Sequence, residues 1–205
     1  MKNFRAYVAL ACLFVACKKE FKTEMNTGEV NTVAARAKPV KSTSQYTEYR
    51  IRAGQHYCDQ NTIKSIRTTE MKFMARFDHT AQYQTIDPVN QYDINKLYGF
   101  SEGIDHQYNS ARIGWAWNDG ALRLYAYAYI NGVRESSEIT TVAIGAENAC
   151  SIKVSGSQYI FTVNGISKTL PRAKATLSAS GYQLYPYFGG DETAPHDIYI
   201  FIKNL

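Results

Sequence analysis

The sequence predicts an all-β domain, a sandwich of two antiparallel sheets, behind an N-terminal leader. Three observations predict it. Apolar and polar residues alternate along many short segments, as half-buried strands require. The dipeptides Asp119-Gly120, Asn131-Gly132 and Asn164-Gly165 separate such segments, and both residues of each pair tolerate the positive φ of a tight hairpin. The composition agrees, with 16 Tyr and only 5 Pro among 205 residues, a mixture suited to pleated strands. No long segment carries the 3.6-residue period of an amphipathic helix.

The leader comes first. Lys2 and Arg5 precede an apolar run from Ala6 to Ala16, too short to span a membrane as a helix of about 20 residues and suited to a secretory signal. It ends in Phe14-Val15-Ala16-Cys17. This resembles the lipobox of bacterial lipoproteins, which implies a signal peptide over 1–16, lipidation of Cys17 and a place in the outer membrane of the cell envelope. Phe14 departs from the Leu usual in that pattern, and a plain cleaved signal is the alternative. The following Lys18-Lys19-Glu20 resembles the surface-export tract of Bacteroidetes lipoproteins; simple solubility of the tether explains it equally well.

Residues 17–45 are polar, contain Pro39 and lack sustained periodicity. They read as a flexible linker whose root-mean-square reach is roughly 30 Å. The β-domain is expected over 46–205, long enough to bury one substantial core.

Its strands are expected in sequence order. In 69–78, Met71, Phe73, Ala75 and Phe77 alternate with Lys72, Met74, Arg76 and Asp78. Strands 110–117 and 121–130 flank Asp119-Gly120, and 133–144 follows Asn131-Gly132. After a break at Gly145 come 151–154, 158–163 and, past Asn164-Gly165, 166–170. Segments 182–188 and 196–203 complete the set. Residues 80–109 read as a long polar and aromatic insertion with a helical turn near 93–97. So long a connection suggests function, or a loop that merely covers a sheet edge.

The order of elements resembles the concanavalin A-like jelly roll of legume lectins, laminin G modules, family 16 glucanases and alginate-lyase-like enzymes. Ala111-Arg112-Ile113-Gly114-Trp115 through Tyr125-Ala126-Tyr127 resembles the central strand pair of such modules, and Asp197 to Ile202 their closing strand. The resemblance implies two bent sheets, the concave one carrying a ligand groove, across 46–205. The glucanase triad of acids and the lyase Y-x-K-x-G-x-Y strand are both absent, so it implies architecture rather than catalysis.

One constellation is a tyrosine ladder. Along 121–130, Leu122, Leu124, Ala126, Ala128 and Ile130 share one face, and Arg123, Tyr125, Tyr127 and Tyr129 the other. The aliphatic face suits the core. The phenol face offers flat apolar surface with polar tips, as sugar recognition requires, and a guanidinium can grip a uronate or sulfate in bidentate fashion. By parity Tyr185 and Tyr187 share a face with Gln183, and Arg76 and Arg112 would add charge if their strands lie alongside. The alternative is ordinary cross-strand packing on a solvated sheet.

Other candidates are weaker. Gly189-Gly190-Asp191-Glu192 reads as a tight turn with an acidic tip, or as an irregular Ca²⁺ loop; His196 is a candidate base. His56, His79, His106 and His196 match no metal-ligand spacing, so no metal or cofactor is expected. His106, beside Asp105 in the insertion, is the one expected to make a polar contact. Cys58 and Cys150 either form a disulfide, closing a loop of about 92 residues worth on the order of 4 kcal/mol, or remain two buried thiols.

Composition narrows the function classes. With 45% hydrophobic and 20% charged residues the chain is not disordered, and a scattered charge of +5 lacks a nucleic-acid footprint. The membrane is met only through the N-terminal lipid. The expected function is an envelope-anchored module that binds polysaccharide or glycan through a Tyr-lined sheet. A polysaccharide lyase or glycoside hydrolase of the same fold, and a structural or adhesive surface protein, are the alternatives.

Overall fold

The structure is a computed structural model that describes residues 45–205. The signal segment, Cys17 and the linker reading at 17–44 lie outside the described residues. Two six-stranded antiparallel sheets pack face to face. The first runs β1 (Thr47–Ile51), β12 (Ile198–Asn204), β3 (Glu70–Phe77), β8 (Glu147–Ser155), β9 (Gln158–Val163), β10 (Ile166–Pro171). The second runs β2 (Ser65–Thr68), β11 (Ala179–Leu184), β4 (Asn95–Ser101), β5 (Ser110–Asn118), β6 (Ala121–Ile130), β7 (Val133–Val142). The all-β sandwich expected from the alternation is what forms.

The core follows from that alternation. Phe73, Ala75 and Phe77 of β3, Ile198, Ile200 and Ile202 of β12, and Phe161 and Val163 of β9 point inward from the first sheet. Ala111, Ile113 and Trp115 of β5 and Leu122, Leu124, Ala126 and Ala128 of β6 meet them from the second. The large rings dominate this burial. Phe77 lies 5.4 Å from Trp115, centroid to centroid, and Phe73 5.1 Å from Tyr98, so aromatic contacts bridge the sheets. The three dipeptide turns have φ near 50° at Asp119, Asn131 and Asn164 and positive φ at the following Gly. That geometry matches the right-handed twist of the flanking strands.

Several expectations are corrected. The insertion at 80–109 contains β4, a central strand, and its helical turn is a short 3-10 segment at Pro88–Tyr92 rather than 93–97. A register shift between Lys96 and Tyr98 puts both Leu97 and Tyr98 in the core, which erases the period of two. The short strands β1 and β2 escape the alternation because five and four residues hold too few repeats. The strand expected at 182–188 is displaced to Ala179–Leu184; Pro186 lacks the N–H that a ladder needs. Cys58 and Cys150 are both buried and free, so the disulfide alternative does not form. Cys58 donates to the Gln60 carbonyl, and burial pushes its thiol up to about 11.

Candidate functional site

The outward face of the second sheet carries a trough of about 730 Å³. Its floor is β5, flanked by β4 and β6. Arg112 of β5 stands opposite Gly99 of β4 and Tyr127 of β6. A glycine on one side and a flat ring on the other leave the guanidinium room to lie along the sheet. Arg134 arrives from β7, because the Asn131-Gly132 turn fixes the pairs Ile130↔Val133 and Tyr129↔Arg134. Lys96 comes from the irregular start of β4.

Charge is the distinguishing property of this trough. Lys96, Arg112 and Arg134 line it, against one exposed carboxylate, Asp191. Among the described residues none of these three cations forms an ion pair. Arg112 is only 6% exposed, and among the described residues its Nε has no hydrogen-bond partner. Burying an uncompensated guanidinium disfavours its charged form and costs free energy. Lys96 is pushed down to about 8, first by burial, then by Arg112 and Arg134. Its ammonium sits 5.1 Å from the Tyr127 ring centre and 5.7 Å from that of Tyr187, where the ring faces attract it.

The two glycines after Phe188 have a local purpose. Gly189 donates to the buried Asn95 side chain at 2.7 Å. A Cβ there would come within 2.6 Å of the Ile94 carbonyl oxygen and would also strike Lys96 Nζ, so only glycine lets this segment lie across the ammonium. The same segment pairs through Tyr187 with Lys96, N–H to carbonyl in both directions, at 2.8 and 2.9 Å.

Aromatic side chains form the walls. Tyr127 and Tyr129 contact each other at 5.9 Å, near perpendicular. On the opposite side Tyr187 stacks on His56 at 5.3 Å and meets Tyr57 edge-on at 4.9 Å. Tyr57 is 64% exposed. At a third edge His106 Nδ1 and the Tyr182 hydroxyl share a hydrogen bond of 2.9 Å. Burial and nearby Arg112 hold His106 below the ordinary imidazole range. The loop that carries His106 is closed at its base by Glu102 N donating to Asn109 O. It is tied to the β6–β7 turn by Asn131 N donating to Asn109 Oδ1 and Gly132 N donating to Tyr108 O.

The expected site residues divide. Arg112, Tyr127, Tyr129, Tyr185 and Tyr187 line the trough. Tyr185 does so only partly, since its ring also packs against Tyr49 and Tyr98 at the core edge. Tyr125 and Arg123 do not line it. Arg123 is held by Glu138 at 3.1 Å and by Asp119 at 3.6 Å. Tyr125 lies beside that acidic cluster, hydrogen-bonded to Asn118. Arg76 belongs to the other sheet, where its guanidinium covers the Phe201 ring at 4.1 Å. His196 is tied to the Thr80 carbonyl at 2.9 Å. Glu192 accepts from Ile86 N, Asp87 N and Asn90, so its carboxylate serves as a loop clamp. Lys96, Arg134, Tyr57 and Tyr182 were not singled out. Arg134 was within reach, because a two-residue hairpin turn dictates its partner. Lys96 had no sequence signal, since a bulge decides which way it points.

No protein-family model matches the chain, and no curated protein matches it in sequence. Solved structures do. Alginate lyase AlyC3 superposes with a TM-score of 0.50 at 12% identity, over 81% of this chain and 76% of its own. Alginate lyase AlgAT5 of polysaccharide lyase family 7 gives 0.46 at 10% identity, over 80% and 78%. The marine family 7 alginate lyase AlyA1 from Zobellia galactanivorans gives 0.44 at 12% identity, over 77% and 62%. At 12% identity the likeness to AlyC3 shows the jelly-roll sandwich fold alone.

Proposed function

We propose that the domain binds an acidic polysaccharide in the cationic trough of its second sheet. The observation that carries this reading is Arg112: a guanidinium nine-tenths buried, with an orphan Nε and no carboxylate partner among the described residues. Folding gains nothing from such a group unless a ligand supplies the missing anion. A uronate or sulfate would do so in bidentate fashion. Lys96 and Arg134 extend the cation set, and Tyr129, Tyr187 and Tyr57 offer ring faces to sugar C–H groups, whereas Tyr127, 1% exposed, lies beneath the Lys96 ammonium and supports it. The fold is shared with an enzyme named for acting on alginate, a polyuronate, which supports the same ligand class. Titration calorimetry against oligouronates and neutral oligosaccharides tests the reading. Binding of the acidic series alone, lost in Arg112→Met and weakened in Tyr129→Ala, is expected; equal binding of neutral sugars would refute it.

A second reading, eliminative cleavage of a polyuronate, has one specific support. The hydrogen-bonded His106–Tyr182 pair and Arg112 open onto the same trough. In such a reaction Arg112 would neutralise the sugar carboxylate, and the pair would take the proton on the adjacent carbon and return one to the leaving oxygen. Prolonged incubation with a polyuronate would release unsaturated ends if this occurs, and His106→Ala would abolish them.

We also propose that Cys17 anchors the domain to the envelope with 18–45 as the tether. Cys17→Ala is expected to move the protein from the membrane fraction to the soluble fraction.

A further inference from the structure

Beyond Tyr182 the outer face does not end. A second, shallower hollow of about 570 Å³ lies over β11 and β2, and Tyr182 and Ile63 border both it and the trough. Ile104 lines it as well. Ile63 and Ile104 are 89% and 96% exposed, so both present aliphatic surface to this hollow. On its floor is Arg67 of β2, exposed and paired with Ser180 across the ladder. Among the described residues Arg67 forms no ion pair; its Nε donates a long hydrogen bond of 3.4 Å to Ser178 Oγ.

Register gives the separation of the two sites. From Arg112 on β5 to Arg67 on β2 is three strand steps, about 14 Å across the sheet. Gly99, which faces Arg112, pairs with Leu184, and Arg67 pairs with Ser180, so the displacement along β11 is four residues, about 13 Å. The diagonal is roughly 20 Å.

We propose that the acidic glycan continues out of the trough, over Tyr182 between Ile63 and Ile104, into the second hollow, where Arg67 takes a further acidic group of the same chain. This rests on the reading of the trough as an acidic-glycan site and extends it: the ligand is a polymer recognised at two charged points, with an apolar saddle between them. The saddle suits a pyranose ring face, which is apolar and flat, and Arg67 suits a carboxylate or sulfate at the far end.

The test compares a mannuronate disaccharide, too short for the diagonal, with a mannuronate hexasaccharide, by titration calorimetry. Arg67→Ala is a surface change that leaves the trough intact. A longer chain also offers more binding registers, so the readout is the ratio of variant to native affinity for each ligand. Hexasaccharide affinity is expected to fall about fivefold in Arg67→Ala, the scale of one exposed ion pair, and further in Arg67→Glu, with disaccharide affinity unchanged. Ile104→Ser is expected to weaken only the hexasaccharide. Equal hexasaccharide affinity in the native chain and Arg67→Glu would overturn the extension and leave the trough standing. Failure of the native chain to bind either ligand would overturn the reading of the trough itself, and the extension with it.

Discussion

Two buried arginines set two regions of this molecule against each other. Arg172 is 4% exposed and Arg112 is 6% exposed. Arg172 donates to both oxygens of Glu102, at 2.5 and 3.1 Å, and to the carbonyls of Gly156, Lys174, Thr176 and Ser178. The Tyr159 hydroxyl also donates to Glu102, at 2.7 Å. That network stitches the 172–178 segment to the end of β4, and every charge in it has a partner. Among the described residues Arg112 has neither a carboxylate nor a partner for Nε, and two further cations stand near it. The same residue type, equally buried, is saturated in one place and open in the other. Saturation serves the fold; under the proposed function, the open guanidinium in the trough serves an anion from outside.

The comparison breaks most severely at its structural pole. Glu102→Gln keeps the shape but strands Arg172 without its counter-charge, and unfolding free energy is expected to fall by about 3–5 kcal/mol. Denaturant titration measures it; a fall below about 1 kcal/mol would show that the carbonyl cage alone suffices.

At the open pole the same operation should do the reverse. Arg112→Met removes an uncompensated buried charge, so stability should stay level or rise by about 1 kcal/mol. Oligouronate affinity should meanwhile fall about a hundredfold, as for a buried charge pair that loses one partner. Loss of both stability and binding would mean that Arg112 is structural after all.

A smaller effect sharpens the electrostatic side. Burial, and then the neighbouring Arg112 and Arg134, push Lys96 down to about 8. Below that pH it is an ammonium and attracts the ligand; as pH rises through 8 it is neutralised and affinity should drop about tenfold. A bound carboxylate favours the charged form, so binding near pH 8 should take up protons, seen as a buffer-dependent heat. Lys96→Arg should keep the affinity and flatten the profile. The stability sign is separate. Because the folded pKa lies below the unfolded one, the unfolded chain holds more protons between about 8 and 10.5, and this residue's contribution to stability should improve as pH rises through that window.

The smallest effect belongs to Arg123. Its partners are exposed, so Glu138→Ala should cost less than about 1 kcal/mol and leave oligouronate affinity unchanged. A clear loss of binding would return Arg123 to the site.

Legibility followed the length of the local signal. The hairpin at Asp119-Gly120 and the two faces of β6 could be read directly, because a period of two and a turn dipeptide each depend on neighbours in sequence. The tyrosine ladder was half informative: Tyr127 and Tyr129 reach the trough, whereas Tyr125 and Arg123 stand toward the other end of the strand among Asp119 and Glu138. Parity reports the face of a sheet and not the position along it. Arg76 failed for another reason, since its strand belongs to the opposite sheet, and alternation is the same in both.

What the amino-acid order alone determined is the class of the fold, its hairpins, and the aliphatic and phenolic sides of its central strand. These are settled within ten or so consecutive residues by sterics and by burial. What only the tertiary structure decided is the charge state of the surroundings: which cations found a carboxylate and which did not. Arg172 met Glu102 across 70 positions of chain, and Arg112 met Lys96 and Arg134 through a bulge and a hairpin register. Compensation of charge is a property of neighbours in space, and strand order, which brings those neighbours together, is set by long-range pairing that no local pattern encodes.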